Sequence, residues 1–199
     1  GSAVDNGKKG EPTQQSQEPI YGGSNDGTDD AVMFLYSNQG YACTGTLIAK
    51  NGNIGYVLTA GHCAGMDYVI QADNLNCLNS NPPTCENIWA IDDQVVNPNF
   101  NENQIDNGYD FSMIRFTGAS SAPAPVPAAS GNDGVGVGTQ VNLVGYGVTE
   151  FGDTNFRMHV NMPVNEVFSN FLGFDQTGGQ GTCSGDSGGA AIYNGKVVG

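Results

Sequence analysis

Three short stretches of this chain hold residue types that together perform nucleophilic catalysis. Gly185-Asp186-Ser187-Gly188-Gly189 sets one hydroxyl among glycines, where the backbone bends freely and can approach a ligand without a Cβ in the way. Leu58-Thr59-Ala60-Gly61-His62-Cys63 ends an apolar run on an imidazole, and Tyr109-Asp110-Phe111 opens another on a carboxylate. A serine hydroxyl is a weak nucleophile until a neutral imidazole takes its proton. The imidazole in turn needs a carboxylate to set its tautomer and stabilise the cation that forms. A glycine-rich turn with an incidental serine would account for the first stretch alone; the three together read as Ser187 nucleophile, His62 base and Asp110 orienting acid. The other histidine, His159, has no partner close by in sequence and reads as structural, while Arg157 and Arg115 read as solvated or paired charges.

The elements that must hold these groups read as strands. Apolar or alternating runs at 31–36, 43–49, 56–59, 88–96 and 111–116 are separated by Asn, Gly and Ser, and Asn51-Gly52-Asn53 is a hairpin signal. The segment 97–107 is nearly all Asn, Pro and acids, which suits a surface loop. Residues 119–131 place Pro123, Pro125 and Pro127 among small residues without periodicity, and the domain boundary is expected there. Further runs follow at 141–146, 158–167 and 189–199, and no stretch has the period of an amphipathic helix.

Composition narrows the function classes. Twenty acidic against 6 basic residues give a net charge of -14, which repels phosphate backbones and anionic membranes, so neither nucleic acid nor a membrane is an expected partner. No run approaches the roughly 20 apolar residues that span a bilayer. The 5 cysteines form no Cys-x-x-Cys pair, so disulfides and an oxidising, secreted or periplasmic compartment are expected in place of a zinc site. Cys77 and Cys85 flank Pro82-Pro83 in a polar loop and read as a local bridge. Asn25-Asp26-Gly27-Thr28-Asp29-Asp30 has the look of a calcium loop but lacks the bidentate Glu, and reads as a solvated turn. No metal or cofactor is expected.

Taken in order, several of these stretches resemble the chymotrypsin (trypsin-like) family of serine endopeptidases. The resemblance runs through Ile20-Tyr21-Gly22-Gly23, Cys43-Thr44-Gly45-Thr46-Leu47-Ile48, Thr59-Ala60-Gly61-His62-Cys63, Asp110-Phe111, Gly145-Tyr146-Gly147 and Gly185-Asp186-Ser187-Gly188-Gly189. It implies an all-β fold of two antiparallel six-stranded barrels. Residues 1–19 are then a flexible tail or pro-segment, 20–120 the first barrel with His62 and Asp110, and 121–199 a second, incomplete barrel with Ser187. It also implies a Cys43–Cys63 disulfide, an oxyanion hole made by the backbone N–H groups of Gly185 and Ser187, and protein or peptide substrates.

Two further expectations come with the resemblance. Cleavage before Ile20 frees an amine that pairs with Asp186, so the chain is expected to be a zymogen with an activating protease as partner. Pro19 in place of Lys or Arg argues that this activator is not trypsin-like. The specificity pocket is expected at Gly181 and Thr182; Gly181 brings no charge where trypsin-like enzymes carry an aspartate, so an uncharged side chain of small to medium size is expected in it. With the other four cysteines paired, Cys183 is odd, and Lys196-Val197-Val198-Gly199 reads as a strand just under way. A polypeptide ending at Gly199 is therefore expected to be inactive and poorly folded, and the functional protein to continue or to be completed by a second chain.

Two rival readings are available. Gly185-x-Ser187-x-Gly189 also fits the nucleophile elbow of an α/β-hydrolase, but that fold orders its triad Ser, acid, His, whereas here the order is His62, Asp110, Ser187. The other is a protease-like domain without activity, serving as a binding module or scaffold.

Overall fold

The computed structural model describes residue 20 and residues 22–131, 133–147, 156–182 and 184–199. The expectations for 1–19, Tyr21 and Cys183 lie outside the described residues. Thirteen strands and four short 3-10 turns make up the regular structure of what is described. The strands are β1 (Ser24–Asn25), β2 (Val32–Tyr36), β3 (Ala42–Asn51), β4 (Ile54–Thr59), β5 (Tyr68–Gln71), β6 (Asn87–Val96), β7 (Ser112–Thr117), β8 (Gln140–Gly145), β9 (Met158–Pro163), β10 (Glu166–Val167), β11 (Leu172–Gly173), β12 (Ala190–Tyr193) and β13 (Lys196–Val197).

Six strands close an antiparallel barrel in the order β2-β3-β4-β7-β6-β5. Alternation puts Met33, Leu35, Leu47, Val57, Ile114 and Phe116 inside it, all at or near zero exposure. Trp89 closes the same core, its ring 4.9 Å from that of Phe116. Gly55 makes room for that ring, because a Cβ there would run into Phe116. The β3–β4 hairpin turns at Gly52, whose φ of 59° suits the tight reversal.

The second body is an open five-stranded sheet, β1-β9-β8-β12-β13, with β10 and β11 as a separate ribbon. The fold is thus all-β, with one barrel closed and the other represented by this sheet. β1 pairs with β9, so the start of the segment assigned to the first barrel sits in the second sheet instead. Val32, Phe34, Ile70 and Ala72, facing out of the barrel, pack with Val144, Tyr146, Ala190 and Val197 of the sheet in one buried cluster. The seam between the two bodies is therefore apolar core rather than a wet interface.

A buried cation crosses this seam. Arg157 is fully buried and pairs with Asp26 at 3.2 Å, Asp30 at 2.9 Å and Asp73 at 2.7 Å. Expected as a solvated or a paired charge, it is paired, with 0% of its side chain exposed. Asp26 is the buried member of the set, and its Oδ1 also accepts from Thr28 N and Oγ1 and from Asp29 N. Those contacts turn 25–30 into a turn built around a carboxylate. Burial pushes Asp26 up, but the Thr28 hydrogen bonds and the Arg157 charge outweigh it and hold the carboxyl below its usual range.

Removing one partner of a buried pair leaves the other uncompensated. Arg157→Met is accordingly expected to cost about 3–5 kcal/mol of stability, read by denaturant unfolding at neutral pH. Asp26 has a folded pKa below its unfolded one. The stability from its pairing is therefore present above the unfolded value near ~3.9 and lost as pH falls through the lower folded value, so the mutant deficit should shrink in acid. A loss under about 1 kcal/mol at neutral pH would contradict the account.

Candidate active site

His62 lies in the 3-10 turn Gly61–Cys63 at the end of β4, and Asp110 lies two residues before β7, the strand that pairs with β4. Strand pairing thus delivers the two side chains to the same rim of the barrel. Asp110 holds His62 twice: Oδ2 is 2.7 Å from Nδ1, and Oδ1 accepts the His62 backbone N–H at 2.8 Å. The carboxylate reaches that backbone because residue 61 is glycine; a Cβ there would stand 3.0 Å from Oδ1. With Nδ1 as donor to Asp110, Nε2 is left as the acceptor of a proton. The imidazole is 40% exposed and Asp110 19%, so the ring is open to solvent while its partner is more shielded.

Ser187 comes from the loop before β12 and is half-buried. Its backbone carbonyl accepts from Thr44 N–H at 2.9 Å, which binds the loop to β3. Gly188 seats the loop against the base of the His62 turn. A Cβ at this residue, with φ of 77°, would meet Thr59 Oγ1, Thr44 O and Ala60 N. Cys43, next to Thr44, is joined by a disulfide to Cys63, next to His62; a second disulfide joins Cys77 to Cys85. Ser187 and His62 therefore hang on adjoining, cross-linked backbone, and Ser187 and Asp186 line a cleft of about 680 Å³.

Gly185 has φ of 93°, in the left-handed region that favours glycine, and packs on Tyr146 O and Gly147 Cα. Asp186 is buried and its Oδ1 accepts from Gly147 N–H at 2.7 Å. Ile20 is buried as well, among Val135, Val141, Leu143 and Val160, and lines the same cleft as Asp186. Thr182 also lines the cleft, whereas Gly181 is buried under the Gln176 side chain, whose Oε1 accepts from Thr182 N–H at 3.2 Å. Nothing in the sequence pointed to this contact of Gln176 with Gly181 and Thr182.

Other support was equally invisible. Gln94 on β6 uses its whole amide on the His62 turn and its neighbour strand. Oε1 accepts from Gly65 and Met66 N–H, and Nε2 donates to Cys63 O at 2.9 Å and to Ser112 Oγ at 3.1 Å. Ser112 passes the contact on to Ala60 O at 2.9 Å, so residues before and after His62 are tied to the strand behind Asp110. Away from the site, His159 Nδ1 lies 3.2 Å from Asn142 Oδ1, and Arg115 is exposed opposite Asp93.

The family model described as Trypsin matches residues 20–199. The chain belongs to the trypsin family. It is 32% identical to brachyurin of Leptuca pugilator over 183 residues, 83% of this chain and 76% of the crab protein. It is 27% identical to snake venom serine protease 3 of Protobothrops jerdonii, covering 94% of this chain and 77% of the snake protein. Venom plasminogen activator LV-PA of Lachesis muta muta is 25% identical over the same shares. This trypsin-family chain is a serine endopeptidase, a hydrolase whose substrates are proteins or peptides. Its two disulfides fit an oxidising compartment, and among the described residues no helix is long and apolar enough to cross a membrane.

Proposed function

We propose that Ser187 attacks the scissile carbonyl, that His62 takes its proton and returns it to the leaving amine, and that Asp110 orients His62 and stabilises its cation. The observation that carries this reading is the double grip of Asp110 on His62, on ring and backbone at once, at a rim to which Gly188 brings the Ser187 loop. Backbone N–H groups of Gly185 and Ser187 receive the oxyanion. The protease works outside the cytoplasm and is made as a zymogen that an activating protease cleaves before Ile20. Around Gly181 the Gln176 amide offers hydrogen bonds but no charge, so an uncharged side chain of small to medium size is the better occupant before the scissile bond.

Peptidyl diphenyl phosphonates, which react only with an activated serine, test chemistry and specificity together. In the full-length protein processed to start at Ile20, the label is expected on Ser187 alone, located by peptide mass, and a valine-type reagent should outrun an arginine-type one by about tenfold or more. No labelling, or a label on another serine, would remove the triad assignment. Faster labelling by the arginine reagent would remove the specificity assignment and leave the triad standing.

A further inference from the structure

Thr44 is fully buried on β3, and every polar atom it has is spent at the nucleophile loop or its support. Its N–H donates to Ser187 O at 2.9 Å. Its carbonyl accepts from Thr59 Oγ1 at 2.7 Å. Its hydroxyl lies 3.0 Å from Tyr146 N and 2.9 Å from Gly185 O. The direction of those last two bonds is forced. A backbone N–H can only donate and a carbonyl can only accept, so Oγ1 accepts from Tyr146 and donates to Gly185.

This one hydroxyl therefore joins three pieces of backbone from distant parts of the chain: the barrel strand β3, the Gly145-Tyr146-Gly147 turn and the loop that holds Gly185 and Ser187. Gly145 and Gly147 face Asp186, and Gly147 N–H binds its carboxylate. The Gly185–Ser187 loop is gripped at both ends by Thr44, through the Gly185 carbonyl and the Ser187 carbonyl, and in the middle by Asp186. Glycine at 185 and 188 makes this loop pliant, with φ of 93° and 77°, so its course depends on external contacts more than on its own sterics.

We propose that Thr44 is a positioning residue for catalysis, whose hydroxyl sets the orientation of the Gly185–Ser187 loop and thereby of the N–H groups that meet the oxyanion. The inference rests on the catalytic reading given above for Ser187 and Gly185. Without the hydroxyl, the buried Tyr146 N–H and the half-buried Gly185 C=O lose this partner, and the cheapest relief is a rotation of the Gly185–Asp186 peptide toward water. That peptide carries the Asp186 N–H and lies between the Gly185 and Ser187 N–H groups, so its rotation shifts the flanking oxyanion donors. A displacement of about 1 Å at a reacting centre costs on the order of 100-fold in rate.

The test is Thr44→Val, which keeps the shape and removes the hydroxyl, beside Thr44→Ser, which keeps the hydroxyl, both in the full-length protein processed to start at Ile20. Thr44→Val is expected to lower kcat by about 10-fold to 100-fold with KM changed less than about threefold. Affinity for a peptide aldehyde, which forms a tetrahedral oxyanion on the serine, should fall by the same factor as kcat. Thr44→Ser should restore kcat to within about threefold of the parent. Should the valine variant fail to fold, Thr44→Ala leaves space for a water on the two stranded groups and is expected to show the same split, smaller, at about 3-fold to 10-fold. Parental kcat and aldehyde affinity in the valine or alanine variant, even with a lowered Tm, would overturn the proposal and make Thr44 merely structural. That outcome is distinct from failure of the catalytic reading, in which the parent itself leaves the phosphonates unreacted or Ser187→Ala keeps its turnover; such a result sinks both.

Discussion

Ser187→Ala is expected to lower peptide-bond turnover by about 10⁴ to 10⁶, and His62→Ala by a similar factor, with melting temperatures close to the parent. The reason lies in which atoms the fold uses. Thr44 N–H binds the carbonyl of Ser187, a bond that alanine keeps. His62 leaves 40% of its side chain in solvent, so its removal opens little core, and the backbone N–H held by Asp110 Oδ1 survives in alanine. In the proposed reading what disappears is the route of a proton from hydroxyl to imidazole, a single function shared by both residues. The double variant should therefore be about as slow as either single one, a non-additivity expected of groups that act as a unit. Steady-state turnover of the three variants against the parent, all as full-length protein processed to start at Ile20, checks this. Parental turnover in either single variant, or losses that multiply in the double one, would refute the assignment.

How much of this was legible in the chain depends on whether the signal was local. β2, β3, β4, β6 and β7 were readable because each alternates or runs apolar over five to ten residues, and their bounds fall within a few residues of expectation. β5 was not: Tyr68–Gln71 has four residues, three of them buried in succession, and is a strand only because β2 and β6 lie on either side. The run 158–167 reads as one strand but divides after Pro163, with Glu166–Val167 pairing into the ribbon with β11. The three residues proposed to react stood out through their immediate neighbours. Their supports did not, since Thr44 and its Gly185 carbonyl are 141 residues apart and Gln94 reaches its partners across the barrel. Arg157 is the sharpest instance. Nothing beside it announces burial, and its three carboxylates come from Asp26, Asp30 and Asp73, which only folding assembles.

Processing at the Pro19–Ile20 bond is expected to raise the phosphonylation rate of Ser187 by about 100-fold or more. With that bond intact the Ile20 nitrogen is an amide and carries no charge. Ile20 is nonetheless buried at 1% exposure and lines the same cleft as Asp186, itself 7% exposed. In the proposed zymogen reading, cleavage sets an ammonium beside this buried carboxylate. An ion pair in that setting gains from low dielectric and from charge-assisted hydrogen bonds, whereas an unpaired charge there is costly. Asp186 sits between Gly185 and Ser187, so a pull on its carboxylate acts directly on both proposed oxyanion donors. The pairing also predicts a pH dependence. An α-amine has an unfolded pKa of ~8, and a carboxylate partner raises it in the fold. The benefit is then fully present below that unfolded value and lost as pH rises through the raised one, so the processed chain should relax toward the unprocessed rate in alkali. Replacing the last residues before Ile20 by the recognition sequence of a specific protease allows rates before and after cleavage to be compared on one preparation. Asp186→Asn should abolish the rise, and acetylation of the new amine should reverse it. If the uncleaved chain already reacts at the processed rate, or the Asn variant gains as much on cleavage as the parent, Ile20 is a packing residue and not the switch.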